Sequence, residues 1–233
     1  LYAALNEIND PDLNIQTIEN PIEYMLDGIN QLETKSEIGL DFKRALRSYL
    51  RQDPDVIMVG EIRDEETAHI AVEASLTGHL LFSTLHTNDA ASTIIRLVEM
   101  GIRPYMLTSS LLLICAQRLL RRLCTHCRKP FEADAGVKHL LGLPEAQPLQ
   151  LYAPAGCELC HDSGYHGRIG IYEMLAPDDA LRLLMAQPEV DAQQIKAQAM
   201  ANGMRTLFQD AAAKVIAGQT SLEELTLNIL NDA

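Results

Sequence analysis

The sequence predicts an α/β fold: a largely parallel sheet with helices on both faces, then a turn-rich tetracysteine segment, then a C-terminal helical region. Three observations predict it. Short apolar runs alternate with amphipathic ones over residues 1–121. Two Cys-x-x-Cys pairs and Gly156, Gly164, Gly167 and Gly170 gather in 122–172. Helix-start signals recur in 173–233, where Asp191 with Gln194 and Ser221 with Glu224 read as capping boxes, and Gly218 stops the helix before the second.

Each element has its own signal. Asn14 to Ile18 reads as a strand and Asp41 to Arg51 as a helix. Val56-Ile57-Met58-Val59 is a buried strand, four apolar residues between Asp53-Pro54-Asp55 and Gly60. Asp64 to Leu76 is a helix whose acidic first turn complements its dipole. His79 to Leu85 is a strand, and Asn88 can cap a helix running to Met100, with Gly101 as its stop. Alternation of this kind gives a parallel sheet covered on both faces. The mixed composition of 132–155 suggests a flexible insertion.

Composition narrows the function. With 47% hydrophobic and 22% charged residues the chain is globular, and with no tryptophan its core must come from Leu, Ile, Val, Ala and Met. The balance of 19 basic against 32 acidic residues, a net charge of -13, disfavours nucleic acid as a partner. The longest apolar run, Tyr105 to Leu120, contains Thr108, Ser109, Ser110, Gln117 and Arg118 and is shorter than the roughly 20 residues of a bilayer span. Residues 1–20 hold Glu7, Asp10, Asp12 and Glu19 and no Lys or Arg, which does not read as a secretion signal. An odd cysteine count without such a signal points to a reducing compartment.

Ligands of parallel sheets bind beyond the carboxyl ends of the strands. Glu61 follows the VIMVG strand directly, and Glu19 and Glu23 follow the NIQTI strand across Asn20-Pro21-Ile22. Carboxylates there can hold magnesium through water or orient a water for attack on phosphate; alternatively they merely begin loops. Arg44, Arg47 and Arg51 share one helical face and Arg63 lies two residues after Glu61. Guanidinium groups match phosphate, though a solvated face paired with Asp41, Asp53 and residues 64–66 explains the spacing equally well. His79 and His86 flank one strand at a spacing that points them to opposite faces, so they do not ligate one metal together.

Cys124, Cys127, Cys157 and Cys160 have the spacing of two zinc knuckles, each turn supplying two thiolates to one tetrahedron. Residues 128–156 separate the pairs, more than the usual roughly 15–20, so the intervening chain must bulge out. A redox dithiol needs only one pair and leaves the other unexplained. His126 is a further donor that four thiolates make unnecessary.

The runs TIENPIEY (Thr17 to Tyr24), GINQ (Gly28 to Gln31), LRSYLRQDPDVIMVGEIRDEET (Leu46 to Thr67), TGHLLFSTLHTNDA (Thr77 to Ala90) and AQRLLRRLC (Ala116 to Cys124), with the paired cysteines, resemble the secretion ATPases of type II secretion and type IV pilus assembly. The resemblance covers nearly the whole chain and fits the C-terminal motor domain, the type II secretion branch first. It implies a RecA-like ATPase core over 1–121, a zinc-binding subdomain over 122–172 and a helical subdomain over 173–233. The family's Asp box, TIEDPVE, places its catalytic carboxylate at Glu23; this chain has Asn20 where the family has Asp. The Walker B segment places its acidic residue at Glu61, and the His box supplies His79 and His86. Arg47, Arg51 and Arg63 stand where the family keeps arginines near nucleotide, and Glu19 belongs to the same box as Glu23. The resemblance also implies ATP with Mg2+, a Zn2+ ion, a hexamer, and inner-membrane platform proteins as partners at the membrane's cytoplasmic face.

No G-x-x-x-x-G-K-[ST] occurs in the 233 residues, and Leu1-Tyr2-Ala3-Ala4-Leu5 matches the family's helix just after that phosphate loop. The expectation is that this chain alone does not hydrolyse ATP. Two other functions compete: a non-enzymatic zinc-bearing interaction module and a thiol oxidoreductase.

Overall fold

Four short strands, each followed by a turn or a helix, align in one direction in the computed structural model, which describes residues 1–230. The first compact unit comprises 1–87, 91–112 and 177–196. In chain order it holds α1 (Tyr2–Glu7), β1 (Ile15–Glu19), β2 (Asn30–Glu33), α2 (Phe42–Tyr49), β3 (Val56–Val59), α3 (Glu65–Leu76) and β4 (Leu80–Ser83), then most of α4 (Ala90–Glu99) and α5 (Pro104–Ser110). The strand order is β2-β1-β3-β4 and every pairing is parallel, with Ile15 beside Val56 and Val56 beside Leu80.

The predicted burial follows position in the sheet. The central strands β1 and β3 are buried at every residue, whereas the edge strands β2 and β4 are partly exposed. On one face Leu5 of α1 packs with Ile15, Leu26, Ile29, Val56 and Met58. Ile18, Ile57 and Val59 alternate onto the other face and are fully buried. There α2 packs against β1, and α3 against β4 and α2. Asp41 and Asp64 sit just before α2 and α3 as their caps, accepting from Arg44 N and Thr67 N at 2.9 Å each. The predicted strand 79–85 contracts to Leu80–Ser83, because His79 still turns toward the end of α3. The apolar run from Tyr105 is split between α5 and a strand, and among the described residues no helix is long and apolar enough to cross a membrane.

The second unit comprises 88–90, 113–176 and the chain from Ala197 on. Its backbone is a long antiparallel ribbon of β5 (Ile114–Leu123) and a later strand. Between them lie β6 (Lys129–Glu132), α6 (Ala135–Leu140) and β7 (Gln150–Ala153); the later strand is β8 (Tyr165–Leu175). The expected boundaries at 121/122 and 172/173 fall inside β5 and β8. After α7 (Asp179–Met185), which belongs to the first unit, and α8 (Ala192–Ala201), which runs from one unit into the other, come α9 (Leu207–Ile216) and α10 (Leu222–Leu225). Leu120 and Ile171 of the ribbon pack on Leu207, Ala211 and Val215 of α9 and on Leu225. Acidic side chains occupy the ribbon's open edges: Glu224 accepts from Arg121 N at 2.7 Å and Asp210 from Tyr172 N at 2.9 Å. Buried Glu173, 1% exposed, accepts from Ala90 N at 3.0 Å and Leu207 N at 3.3 Å.

Three expectations need correction here. Residues 132–155 are a folded strand–helix–strand insert rather than a flexible one: β6 pairs with β7, and Ala133, Leu141 and Leu151 enter the core. Its mixed composition reflects one packed side and one wet side. The box at Ser221 is half made, since Glu224 N donates to Ser221 Oγ while the Glu224 carboxylate binds Arg121. The third stretch opens with the last residues of β8 before its helices. The reciprocal box of Asp191 and Gln194 forms as expected.

Candidate functional site

The carboxyl ends of β1, β3 and β4 form one edge, and three predicted residues meet there. Ile62 N donates to Thr84 O at 2.9 Å and Thr84 Oγ1 to Gly60 O at 2.7 Å, so the chains after β3 and β4 stay paired beyond the strands. This pairing brings Glu61 and His86 together: the carboxylate lies 2.6 Å from Arg63 Nε and 3.4 Å from His86 Nε2. The Glu61 side chain is 13% exposed, against 65% for Arg63 and 86% for His86. One shielded carboxylate thus stands behind two outward-facing cationic or polarisable groups. Asn20, Thr34, Ser36, Lys43, Arg63 and Asp64 line a pocket at the same edge.

Glu19 is placed differently. It is 4% exposed, and its oxygens accept from Tyr2 Oη, from Thr17 Oγ1 at 2.6 Å and from Gln31 Nε2 at 3.0 Å. Burial, and then the hydrogen bond to Glu19, raise the Tyr2 phenol. Burial, reinforced by the Glu19 charge, pushes Tyr49 up to about 12. Glu23 is exposed, and its backbone N–H donates to Tyr2 Oη at 3.2 Å. The network around Glu19 escaped sequence reasoning, because Tyr2 and Gln31 are remote in the chain; only Thr17, two residues away on the same strand face, carried a signal.

The predicted arginine face is only partly formed, since α2 ends at Tyr49 and carries Arg44 and Arg47 while Arg51 falls in the turn that follows, and each guanidinium has a protein partner. Arg47 and Lys43 both bind Glu66, at 2.8 and 2.9 Å, and the Lys43 hydrogen bond holds the Glu66 carboxyl low. Arg51 donates to Arg47 O at 2.6 Å and Arg44 to Gly39 O at 3.3 Å. His79 lies at the amino end of β4, its Nδ1 2.9 Å from Ala74 O and 3.1 Å from Thr77 Oγ1. It does not meet His86, which follows the strand's other end.

In the second unit the four paired cysteines converge. Their sulfurs all lie within 4.8 Å of one another, with Cys124–Cys157 at 3.9 Å, Cys127–Cys160 at 3.8 Å and Cys157–Cys160 at 3.7 Å. A tetrahedron with metal–sulfur bonds of about 2.3 Å has edges of about 3.8 Å, so the donor set fits a tetrahedral thiophilic cation. All four are free thiols, and exposed Cys115 stands outside the group. Backbone N–H groups support the sulfurs: Gly156 to Cys127 at 3.3 Å, Cys157 to Cys160 at 3.2 Å and Gly164 to Cys160 at 3.3 Å. Burial raises the Cys157 thiol to about 11. At Cys160 burial also raises it, but the donated hydrogen bonds, those from Cys157 N and Gly164 N foremost, prevail and bring it to about 7. Gly164 is required there. Its φ is +75°, and a Cβ would stand 2.4 Å from Pro154 Cβ.

A family model described as "Type II/IV secretion system protein" matches residues 1–227. Among curated relatives, the type II secretion system protein E of Pseudomonas aeruginosa is 50% identical over 225 residues, covering 97% of this chain and 44% of that protein. The type IV pilus assembly ATPase PilB of Thermus thermophilus is 49% identical, covering 96% of this chain and 25% of that protein. The chain therefore spans less than half the length of these relatives. The crystal structure of the pilus retraction motor PilT with bound ADP superposes with a TM-score of 0.70 at 30% identity, over 97% of this chain and 56% of that one. By the reach of the family model and the shared α/β fold, the chain belongs to the type II/IV secretion system protein family.

Proposed function

We propose that the chain is the C-terminal motor portion of a secretion ATPase that couples ATP hydrolysis to protein export by type II secretion, or to pilus assembly. The observation that carries this is Glu61, shielded at the end of β3 and facing Arg63 and His86 at the carboxyl edge of a parallel sheet. Magnesium, when bound with nucleotide, neutralises phosphate charge. Glu61 would hold that ion through water, and exposed Arg63 would meet phosphate oxygens. Glu23 accepts a proton from the attacking water as its oxygen bonds to the γ-phosphorus and the bond to ADP breaks. His86 hydrogen-bonds near the same group. Glu19, wrapped by Tyr2, Thr17 and Gln31, supports the edge rather than touching nucleotide. Arg47 and Arg51 reach phosphate only by leaving Glu66 and the Arg47 carbonyl, and His79 serves the turn before β4.

The family relation supports further parts of the reading: a hexamer, inner-membrane platform proteins as partners, and a place at the cytoplasmic face of that membrane. Zinc held by Cys124, Cys127, Cys157 and Cys160 organises the turns of the segment 122–172, a subdomain carried on the ribbon of β5 and β8. With all four positions filled by thiolates, that ion is structural. The 233 residues contain no phosphate-loop motif, so the chain by itself does not turn over ATP; in isolation it is a zinc-bearing interaction module.

The test uses the full-length protein. Glu61→Gln keeps size and removes charge, so turnover falls at least about 100-fold while nucleotide affinity changes little. Turnover within twofold of the parent would remove Glu61 from the site.

A further inference from the structure

The loop that carries Glu23, residues 20–26, has no regular structure, yet its backbone is tied down. Ile22 N donates to Glu33 Oε2 at 3.1 Å, Glu23 N to Tyr2 Oη at 3.2 Å and Leu26 N to Gln31 Oε1 at 2.6 Å. The carboxamide of Gln31 also donates through Nε2 to Tyr24 O at 3.2 Å and to Glu19 Oε1 at 3.0 Å. One side chain on β2 therefore contacts the loop twice and the buried Glu19 carboxylate once. Its orientation is determined by chemistry. Turned over, the amide would set its oxygen against a carboxylate and a carbonyl, and its NH2 against the Leu26 N–H. Glu19 is in turn held by Tyr2, whose ring meets Tyr24 edge-on with centroids 4.5 Å apart.

We propose that Gln31 is a positioning residue for Glu23: anchored on buried Glu19, it fixes the loop 20–26 so that Glu23 stands at a set place beyond the sheet edge. This rests on the reading of Glu23 given above. Gln31 touches no reacting atom; it acts through the loop. Only an amide satisfies three neighbours that require one acceptor and two donors. A carboxylate in place of this amide would face the Glu19 oxygen, now 3.0 Å from Nε2, with like charge, and would oppose the Tyr24 carbonyl. The other titratable groups around the pair are Tyr2 on α1, Tyr49 on α2, Glu33 on β2, and Tyr24 and Glu23 on the loop itself.

The experiment compares Gln31→Glu, Glu23→Gln and the double variant in the full-length protein, reading kcat for ATP, the nucleotide Kd and the pH profile. Misplacing a catalytic group by about 1 Å can cost on the order of 100-fold. At pH 8 Gln31→Glu therefore lowers kcat about 10- to 100-fold and leaves Kd within about threefold. Toward pH 6 the deficit relative to the parent shrinks, because one proton shared between Glu19 and the introduced carboxylate restores a donor between them. On the Glu23→Gln background Gln31→Glu adds nothing further. Gln31→Asn, which keeps the amide but withdraws it, is the second variant should the first not fold, and lowers kcat in the same way. If Glu23→Gln abolishes turnover while Gln31→Glu turns over normally at pH 8, the positioning role is overturned and the reading of Glu23 stands. If Glu23→Gln keeps full turnover, both are overturned. An additive loss in the double variant also overturns the positioning role.

Discussion

The cysteine cluster and the sheet edge are built on opposite principles. The cluster takes all four donors from two short local pairs and aims them at one point, with sulfur spacings of 3.7 to 3.9 Å. The sheet edge takes single residues from the ends of different strands and gives each a different surrounding. Glu61 is shielded and faces two basic groups, Glu19 is buried among donors, and Glu23 is exposed on a tethered loop. The lesson concerns what holds each in place. The edge rests on a sheet with apolar residues on both faces and needs no ion to form. The four thiols sit in turns beside an insert whose Ala133, Leu141 and Leu151 reach the core; the turns themselves have no strand ladder or α-helix to hold them, and a thiophilic ion at the cluster would tie them together.

The largest expected effect breaks the cluster and spares the edge. Cys124→Ser or Cys160→Ser removes a ligand, and structural zinc sites can contribute about 10 kcal/mol or more to the segment they fold. Metal analysis should show loss of the ion. Limited proteolysis should cut within 122–172 while the parallel sheet keeps its amide protection. Protection of that segment in metal-free protein would show that the ribbon and its helices suffice.

The same contrast explains what was legible in the sequence. The pairs Cys124–Cys127 and Cys157–Cys160 are each local, so spacing alone exposed the donor set. Strand β3 was legible because a strand buried on both faces must be apolar at every position, and Val56–Val59 is. Glu61 was legible because it follows that strand directly. The partners of Glu19 were not, since Tyr2 and Gln31 reach it only once α1 and β2 have docked. The pairing of His86 with Glu61 depends likewise on strand register. Residues 132–155 misled because a segment packed on one side has a composition like that of a loop, and because the contributions of Ala133, Leu141 and Leu151 are widely spaced. At Ser221 the local pattern was present, but Arg121, far away in sequence, competes for Glu224 and takes it.

A smaller effect sharpens the comparison by asking how much of the cysteine-bearing unit is held without metal. Glu173 is buried and accepts two backbone N–H groups, from Ala90 and Leu207. Glu173→Gln keeps one acceptor oxygen and turns an NH2 toward the other donor. An unsatisfied buried N–H costs about 1–3 kcal/mol. For a chain of this size each kcal/mol lowers Tm by roughly 2–4 °C. The expected melt is therefore several degrees lower, with metal content unchanged. A Tm within a degree of the parent would mean that the zinc segment, not this carboxylate, sets the unit's stability.

The smallest effect addresses the edge. Asp64 immediately follows Arg63 and caps α3, accepting from Thr67 N at 2.9 Å and Thr67 Oγ1 at 3.1 Å. It also lines the pocket with Arg63 and Asn20. Asp64→Ala frees the first turn of α3 at a cost of about 1 kcal/mol, a Tm shift of roughly 2–4 °C. Because the cap fixes the chain on the far side of Arg63, the Arg63–Glu61 pair loosens as well, and turnover of the full-length protein should fall by a few-fold. Asp64→Asn separates capping from charge. Asn caps as well as Asp, so if the helix start is what matters, Asn restores both Tm and rate. Should Asn restore Tm but leave the rate low, the Asp64 charge acts on the pocket directly. Should it restore neither, the cap is not what fixes Arg63. Asp178→Ala, which removes an equivalent cap from α7 (Asp178 accepts from Leu181 N at 2.8 Å) and does not line that pocket, is the control: a similar Tm loss without the rate loss locates the effect at the edge rather than in general stability.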